Sequence, residues 1–128
     1  QVGLIFNARN VKMVNRAVII LRYKEPALRW INEANQSSNS SQVTLADVND
    51  NSTVYLIKDG AVESPEKFRR WLRKHFRSLF ESELEGWYTD PQLWPSELTL
   101  KLFDAWFTVE RYSVVLDTVG GLIEDDEL

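Results

Sequence analysis

Phe68, Trp71, Leu72, His75, Phe76, Leu79 and Phe80 fall at i, i+3, i+4, i+7, i+8, i+11 and i+12. Only an α-helix gathers residues at that spacing on one side, so this stretch must be a helix with one apolar face. The rest of the chain must then supply a surface for that face to pack on. Ser64 is placed to cap the helix and Pro65 suits its first turn. The spacing predicts a helix to about Gly86, about 33 Å long at roughly 1.5 Å per residue. Trp87-Tyr88-Thr89-Asp90-Pro91 breaks it. The histidine inside the stripe is expected to be a core or boundary residue rather than a general base.

The remaining patterns are strands and shorter helices. Ala17-Val18-Ile19-Ile20-Leu21 is a continuous apolar run within Val14–Lys24, expected to be a central strand covered on both faces. Pro26 opens a short helix carrying Ala27, Leu28, Trp30, Ile31 and Ala34. Residues 35–43 are rich in Asn, Ser and Gln and read as a flexible loop. Thr44 and Asp47 resemble a capping box. Ser52–Lys58 is a second strand, closed by an Asp59-Gly60 turn. Pro95-Ser96 opens a helix with Leu98, Leu102, Phe103, Trp106 and Phe107 inward, and Arg111–Val119 is a third strand ended by Gly120-Gly121. The expectation is a single α/β (or α+β) domain over residues 1–128, in the order β-α-β-α-α-β, with helices packed on a small three- to four-stranded sheet. Neighbouring consecutive strands would be parallel, with right-handed crossovers. Residues 1–12 read as a non-native or extended N-terminal segment in which Val2, Leu4 and Phe6 alternate as in an edge strand. Met13 reads as the natural start, and 122–128 as an acidic tail.

Few residues carry recognisable chemistry. The chain has no cysteine and one histidine, which removes disulfides, thiolate sites and the usual zinc sets. No apolar run approaches ~18 residues, so no membrane span is expected. No Gly-rich phosphate loop or serine elbow occurs. No catalytic residue, metal site or cofactor is therefore assigned. Asn-x-Ser/Thr triplets at Asn35, Asn39 and Asn51, and the final Asp125-Asp126-Glu127-Leu128, would matter in a secretory chain. No signal-peptide pattern supports one, so they read as a polar loop and a solvated tail. An alternative function is a small-molecule or enzyme pocket in which Trp87, Tyr88 and Trp94 surround Asp90, with Glu85 nearby as a second carboxylate.

Charge is segregated. Net charge is -4, yet residues 61–80 hold six basic groups against two acids, and residues 81–128 hold twelve acids against Lys101 and Arg111. The basic groups lie on the long helix as Lys67, Arg69, Arg70, Arg73, Lys74 and Arg77, and its last turns carry Glu81, Glu83 and Glu85. That order opposes the helix dipole, which favours acids early and bases late. An antiparallel pair of such helices about a two-fold axis sets basic half against acidic half. The expected partner is therefore protein, as a homodimer through helix 64–86, with Lys67, Arg69, Arg70, Arg73, Arg77, Glu81 and Glu85 as the interaction surface. Pairing within the chain, for example with Glu124–Glu127, is the competing account. Nucleic-acid binding would need Arg69, Arg70, Arg73 and Arg77 on one open face, and the overall acidity argues against it.

The stretches Asn15-Arg16-Ala17-Val18-Ile19-Ile20-Leu21-Arg22-Tyr23-Lys24-Glu25-Pro26, Ser52-Thr53-Val54-Tyr55-Leu56-Ile57 and Trp87-Tyr88-Thr89-Asp90 with Leu93-Trp94-Pro95 resemble a small uncharacterised bacterial protein family of unknown function. The resemblance runs from Met13 to the C-terminus. It implies a cytoplasmic, non-glycosylated setting and carries over no residue roles.

Overall fold

The computed structural model describes residues 11–34 and 42–125. The readings made on Val2, Leu4 and Phe6, on Asn35, Asn39 and most of the polar loop, and on Asp126 and Glu127 lie outside them. In chain order the elements are β1 (Lys12–Met13), β2 (Arg16–Tyr23), α1 (Glu25–Ala34), α2 (Leu45–Asp50), β3 (Val54–Lys58), a 3-10 turn (Asp59–Val62), α3 (Pro65–Trp87), a 3-10 turn (Pro91–Leu93), α4 (Leu100–Trp106), β4 (Phe107–Tyr112) and β5 (Leu116–Asp117). The result is a mixed α/β domain, as the patterning predicts.

The sheet is antiparallel, which corrects the expected parallel crossovers. β2 is central between β3 and β4, with Ile20 opposite Val54 on one side and Leu21 opposite Val109 on the other. The reason lies in the helical connections. Two helices separate β2 from β3 and two separate β3 from β4. α1 and α2 return the chain to the end of the sheet it left, whereas α3 and α4 carry it from Lys58, opposite Arg16, across to Phe107, opposite Tyr23, so both later strands start near the end of β2. β1 pairs with β5, Met13 opposite Leu116, one residue out of register with the β2–β4 ladder, in which Val18 faces Tyr112. One extra residue on the β1–β2 side absorbs the offset, as in a β-bulge.

Burial along β2 alternates strictly. Ala17, Ile19, Leu21 and Tyr23 are buried, and Val18, Ile20 and Arg22 are only half-buried. Helices therefore cover one face, not the two expected from the apolar run. The open face carries Val54, Leu56 and Tyr112, each about half exposed.

α3 lies across the covered face through Phe68, Leu72, Leu79, Phe80 and Leu84. Phe80 is fully buried and meets Phe103, Trp106 and Phe107 edge-on at 5.3–5.7 Å between ring centres, geometry that adds to plain area burial. α4 starts later than Pro95 suggests. Thr99 accepts from the Leu102 N–H and caps it. Phe107 belongs to β4, so the third strand begins before Arg111 and ends earlier than Val119, with Leu116–Asp117 following as β5. The Thr44–Asp47 capping box is present on α2. Asn32 and Val43 exchange side chain–backbone hydrogen bonds of 3.0 and 3.1 Å, fastening the end of the 35–43 loop to α1.

Candidate interaction surface

α3 owes its position to its apolar stripe, and that stripe dictates what remains outside. Lys67, Arg70, Arg73, Lys74, Arg77 and Glu85 are exposed, and Glu81 is half-buried. Steps of three and four residues along Lys67, Arg70, Lys74, Arg77, Glu81 and Glu85 place them on one outward stripe. Its first half is basic and its second half acidic.

The predicted residues divide by partner. Arg69 leaves the surface group: its guanidinium grips Asp104 of α4 through two bonds, 3.0 and 2.5 Å. The hydrogen bond from Arg69 holds the Asp104 carboxyl below the usual carboxylate range, and the same bond raises the guanidinium. Lys24 adds a 2.6 Å bond to the Asp104 carbonyl, so this corner joins β2, α3 and α4. Lys67 pairs with Glu63 one turn earlier, and Arg77 reaches Glu81 at 3.9 Å. Arg70, Arg73, Lys74 and Glu85 form no ion pair among the described residues. Intramolecular pairing therefore accounts for part of the charge order, and among the described residues Arg70 and Lys74 in the middle of the stripe have no ion-pair partner.

His75 is exposed, so of the expected core or boundary positions the core one falls and the residue lies at the edge of the stripe. Its ring lies 4.6 Å from that of half-buried Trp71. The seven-residue stripe is wider than the contact it makes, and its His75–Trp71 edge faces out. Beside that edge a groove of about 560 Å³ runs between α3 and the turn after β3, lined by Lys58, Lys67, Arg70, Trp71, Lys74 and His75.

The side chains expected to line the aromatic pocket each have a separate hydrogen-bond partner. Trp87 donates to the Tyr23 hydroxyl at 2.9 Å, Tyr88 to the Ile31 carbonyl at 2.5 Å, and Trp94 to the Tyr88 carbonyl at 2.7 Å. Trp30 donates to the Leu93 carbonyl and packs edge-on against Tyr88. These rings fasten the α3–α4 connection to α1 and β2. Asp90 is exposed and caps the Pro91–Leu93 turn through the Gln92 N–H. Glu85 is on the outer stripe. Among the described residues no three acids or imidazoles come close enough to hold a metal ion, and no helix is long and apolar enough to cross a membrane.

Sequence reading missed one polar cluster. Glu83 accepts from the Tyr23 hydroxyl at 2.7 Å and from the Tyr55 hydroxyl, which also bonds Ser82 at 3.0 Å. Burial, then the Glu83 charge and its hydrogen bond, push the Tyr23 phenol far above its ordinary range, and burial and the bond to Glu83 raise Tyr55. The signal was available: Glu83 stands three residues past Phe80 and four past Leu79, on the buried side of α3. The cluster is fully satisfied and ties α3 to β2 and β3. No family model, curated protein or solved structure matches the chain.

Proposed function

We propose that this chain is a non-catalytic protein-interaction module, of bacterial and cytoplasmic setting, that self-associates through α3. One observation carries the reading: the outward stripe of α3 is basic in its first half and acidic in its second, with Arg70, Lys74 and Glu85 left unpaired among the described residues. A two-fold axis passing between Arg77 and Ser78 sets Lys74 opposite Glu81 and Arg70 opposite Glu85 in a single register. Symmetry repeats each pair, and the helix dipoles then run antiparallel. Exposed pairs contribute about 1 kcal/mol or less each, so the dimer is weak and weakened further by salt.

Charge reversal tests the register. Arg70→Glu with Lys74→Glu makes all four pairing positions acidic, and Glu81→Lys with Glu85→Lys makes all four basic. Each variant is expected to sediment as a monomer, and their mixture as a heterodimer. A wild-type chain that remains monomeric at low salt and high micromolar concentration overturns the reading.

A further inference from the structure

The groove between α3 and the turn after β3 holds about 560 Å³, within the roughly 300–1,000 Å³ of small-molecule sites. Steps of four residues put Lys67, Trp71 and His75 in one row along α3 and Arg70 and Lys74 in the next. Lys58 stands on the other wall, at the end of β3. Glu63 also lines the groove, but its carboxylate is taken by Lys67. Lys58, Arg70 and Lys74 have no ion-pair partner among the described residues. With the Lys67–Glu63 pair neutral, these three cations share one groove of a chain whose net charge is -4. Like charges gathered against the overall balance repel one another, and an anion between them removes that cost.

The aromatic rings narrow the choice of anion. Trp30, Trp87 and Trp94 each donate their indole N–H to an acceptor in the fold, whereas Trp71 makes no hydrogen bond among the described residues. Phe68 stacks on Trp71 with planes 17° apart, and the His75 ring lies 4.6 Å from it. Trp71 and His75 line the groove and supply apolar contact together with an indole donor that the fold leaves unused. A bare inorganic anion uses the cations and leaves the rings wet. An uncharged aromatic molecule does the reverse. A molecule that joins a flat ring to a phosphate uses both, and the overall acidity of the chain opposes a long polynucleotide.

We propose that this groove binds a small aromatic phosphomonoester, its ring against Trp71 and His75 and its phosphate held by Lys58, Arg70 and Lys74. Arg70 offers a planar fork to two phosphate oxygens, and the lysines act as point charges. Arg70 and Lys74 also serve the proposed dimer, so bound ligand weakens self-association. The site itself does not rest on that dimer, and Lys58 lies outside the dimer stripe.

Adenosine 5′-monophosphate, phenyl phosphate, adenosine and inorganic phosphate separate the contributions of ring and charge. Each is titrated into the ¹⁵N-labelled full chain while the amide resonances and the Trp71 indole N–H are followed. The two esters are expected to shift Trp71, His75 and residues 58–61 saturably, and to bind at least about tenfold more tightly than adenosine or inorganic phosphate. Tighter binding of the nucleotide than of phenyl phosphate assigns a nucleotide ligand, and the reverse order a simple aryl phosphate. Lys58→Glu and, separately, Arg70→Glu/Lys74→Glu change only exposed side chains, and each is expected to weaken ester binding at least about tenfold. Trp71→Ala is expected to reduce both esters to the affinity of inorganic phosphate. Esters that bind no more tightly than inorganic phosphate, no saturable shift at millimolar ligand, or shifts that survive Lys58→Glu overturn the proposal. Sedimentation reads the dimer separately: Lys58→Glu is expected to lose the ligand and keep self-association, whereas a wild-type chain that binds the esters and stays monomeric overturns the dimer alone.

Discussion

Replacing Glu83 with alanine removes the acceptor of two phenols at once. Tyr23 keeps only the Trp87 donor and Tyr55 only Ser82, and each lost bond leaves a half-buried or buried hydroxyl short of a partner. The expected cost is roughly 2–4 kcal/mol, read as a lower urea midpoint at unchanged slope. The same cluster sets the alkaline limit. An unfolded tyrosine ionises near 10.0, whereas folded Tyr23 and Tyr55 hold their protons well beyond that. Stability is thus fully present below pH 10 and is lost as pH rises above it, because only the unfolded chain gains by ionising. Phenolate absorbance of these two residues is expected to appear together with unfolding, and Tyr23→Phe to flatten the alkaline slope.

Among the elements, α3 was legible nearly to the residue. Its period is long, and Ser64 and Pro65 mark its start by their own chemistry, with Ser64 accepting from the Lys67 N–H. α4 was not. Pro95-Ser96 imitates a helix opening, but the cap is Thr99, and Trp106-Phe107 continues a helical spacing into a residue that pairs across from Tyr23 in the sheet. Tertiary pairing overrides local pattern there. Strand direction was equally hidden, because α2 is six residues long and its contribution to the return path disappears behind the polar loop. Of the interaction surface, the outer stripe could be read from helical spacing. The loss of Arg69 to Asp104 could not, since those residues are 35 positions apart. That bridge makes its own prediction. Asp104 has a depressed folded pKa, so its contribution is present above the unfolded value of 3.8 and lost as pH falls below it. Both side chains are 42% exposed, so the effect is small and salt-sensitive. Asp104→Asn is expected to flatten the acid limb of stability measured against pH.

The whole molecule has a one-sided core. Helices seal the face bearing Ile19 and Leu21, and on the other face Arg22 and Glu110 pair at 3.1 Å beside an apolar strip of Val54, Leu56 and Tyr112. β3 is also an edge strand, so its apolar side chains adjoin unpaired backbone, a combination that favours non-specific association. Leu56→Lys is expected to change stability by no more than about 0.5 kcal/mol and to raise the concentration at which the protein begins to scatter light. Unchanged scattering would show that this face is already shielded.

The pairing of β1 with β5 sets the entry to the fold at Lys12 and its exit at Asp117 side by side and pointing the same way. A force pulling those ends apart loads the hydrogen bonds of the β1–β5 ladder one after another, like a zipper, rather than all at once in shear. Once that short ladder opens, the tension passes to β2–β4, which peels from its Tyr112 end while α3 still rests on β2 and β3. The domain is therefore built to yield at low tension. A tether attached at these two ends would unravel the molecule from the strand that holds α4 in place.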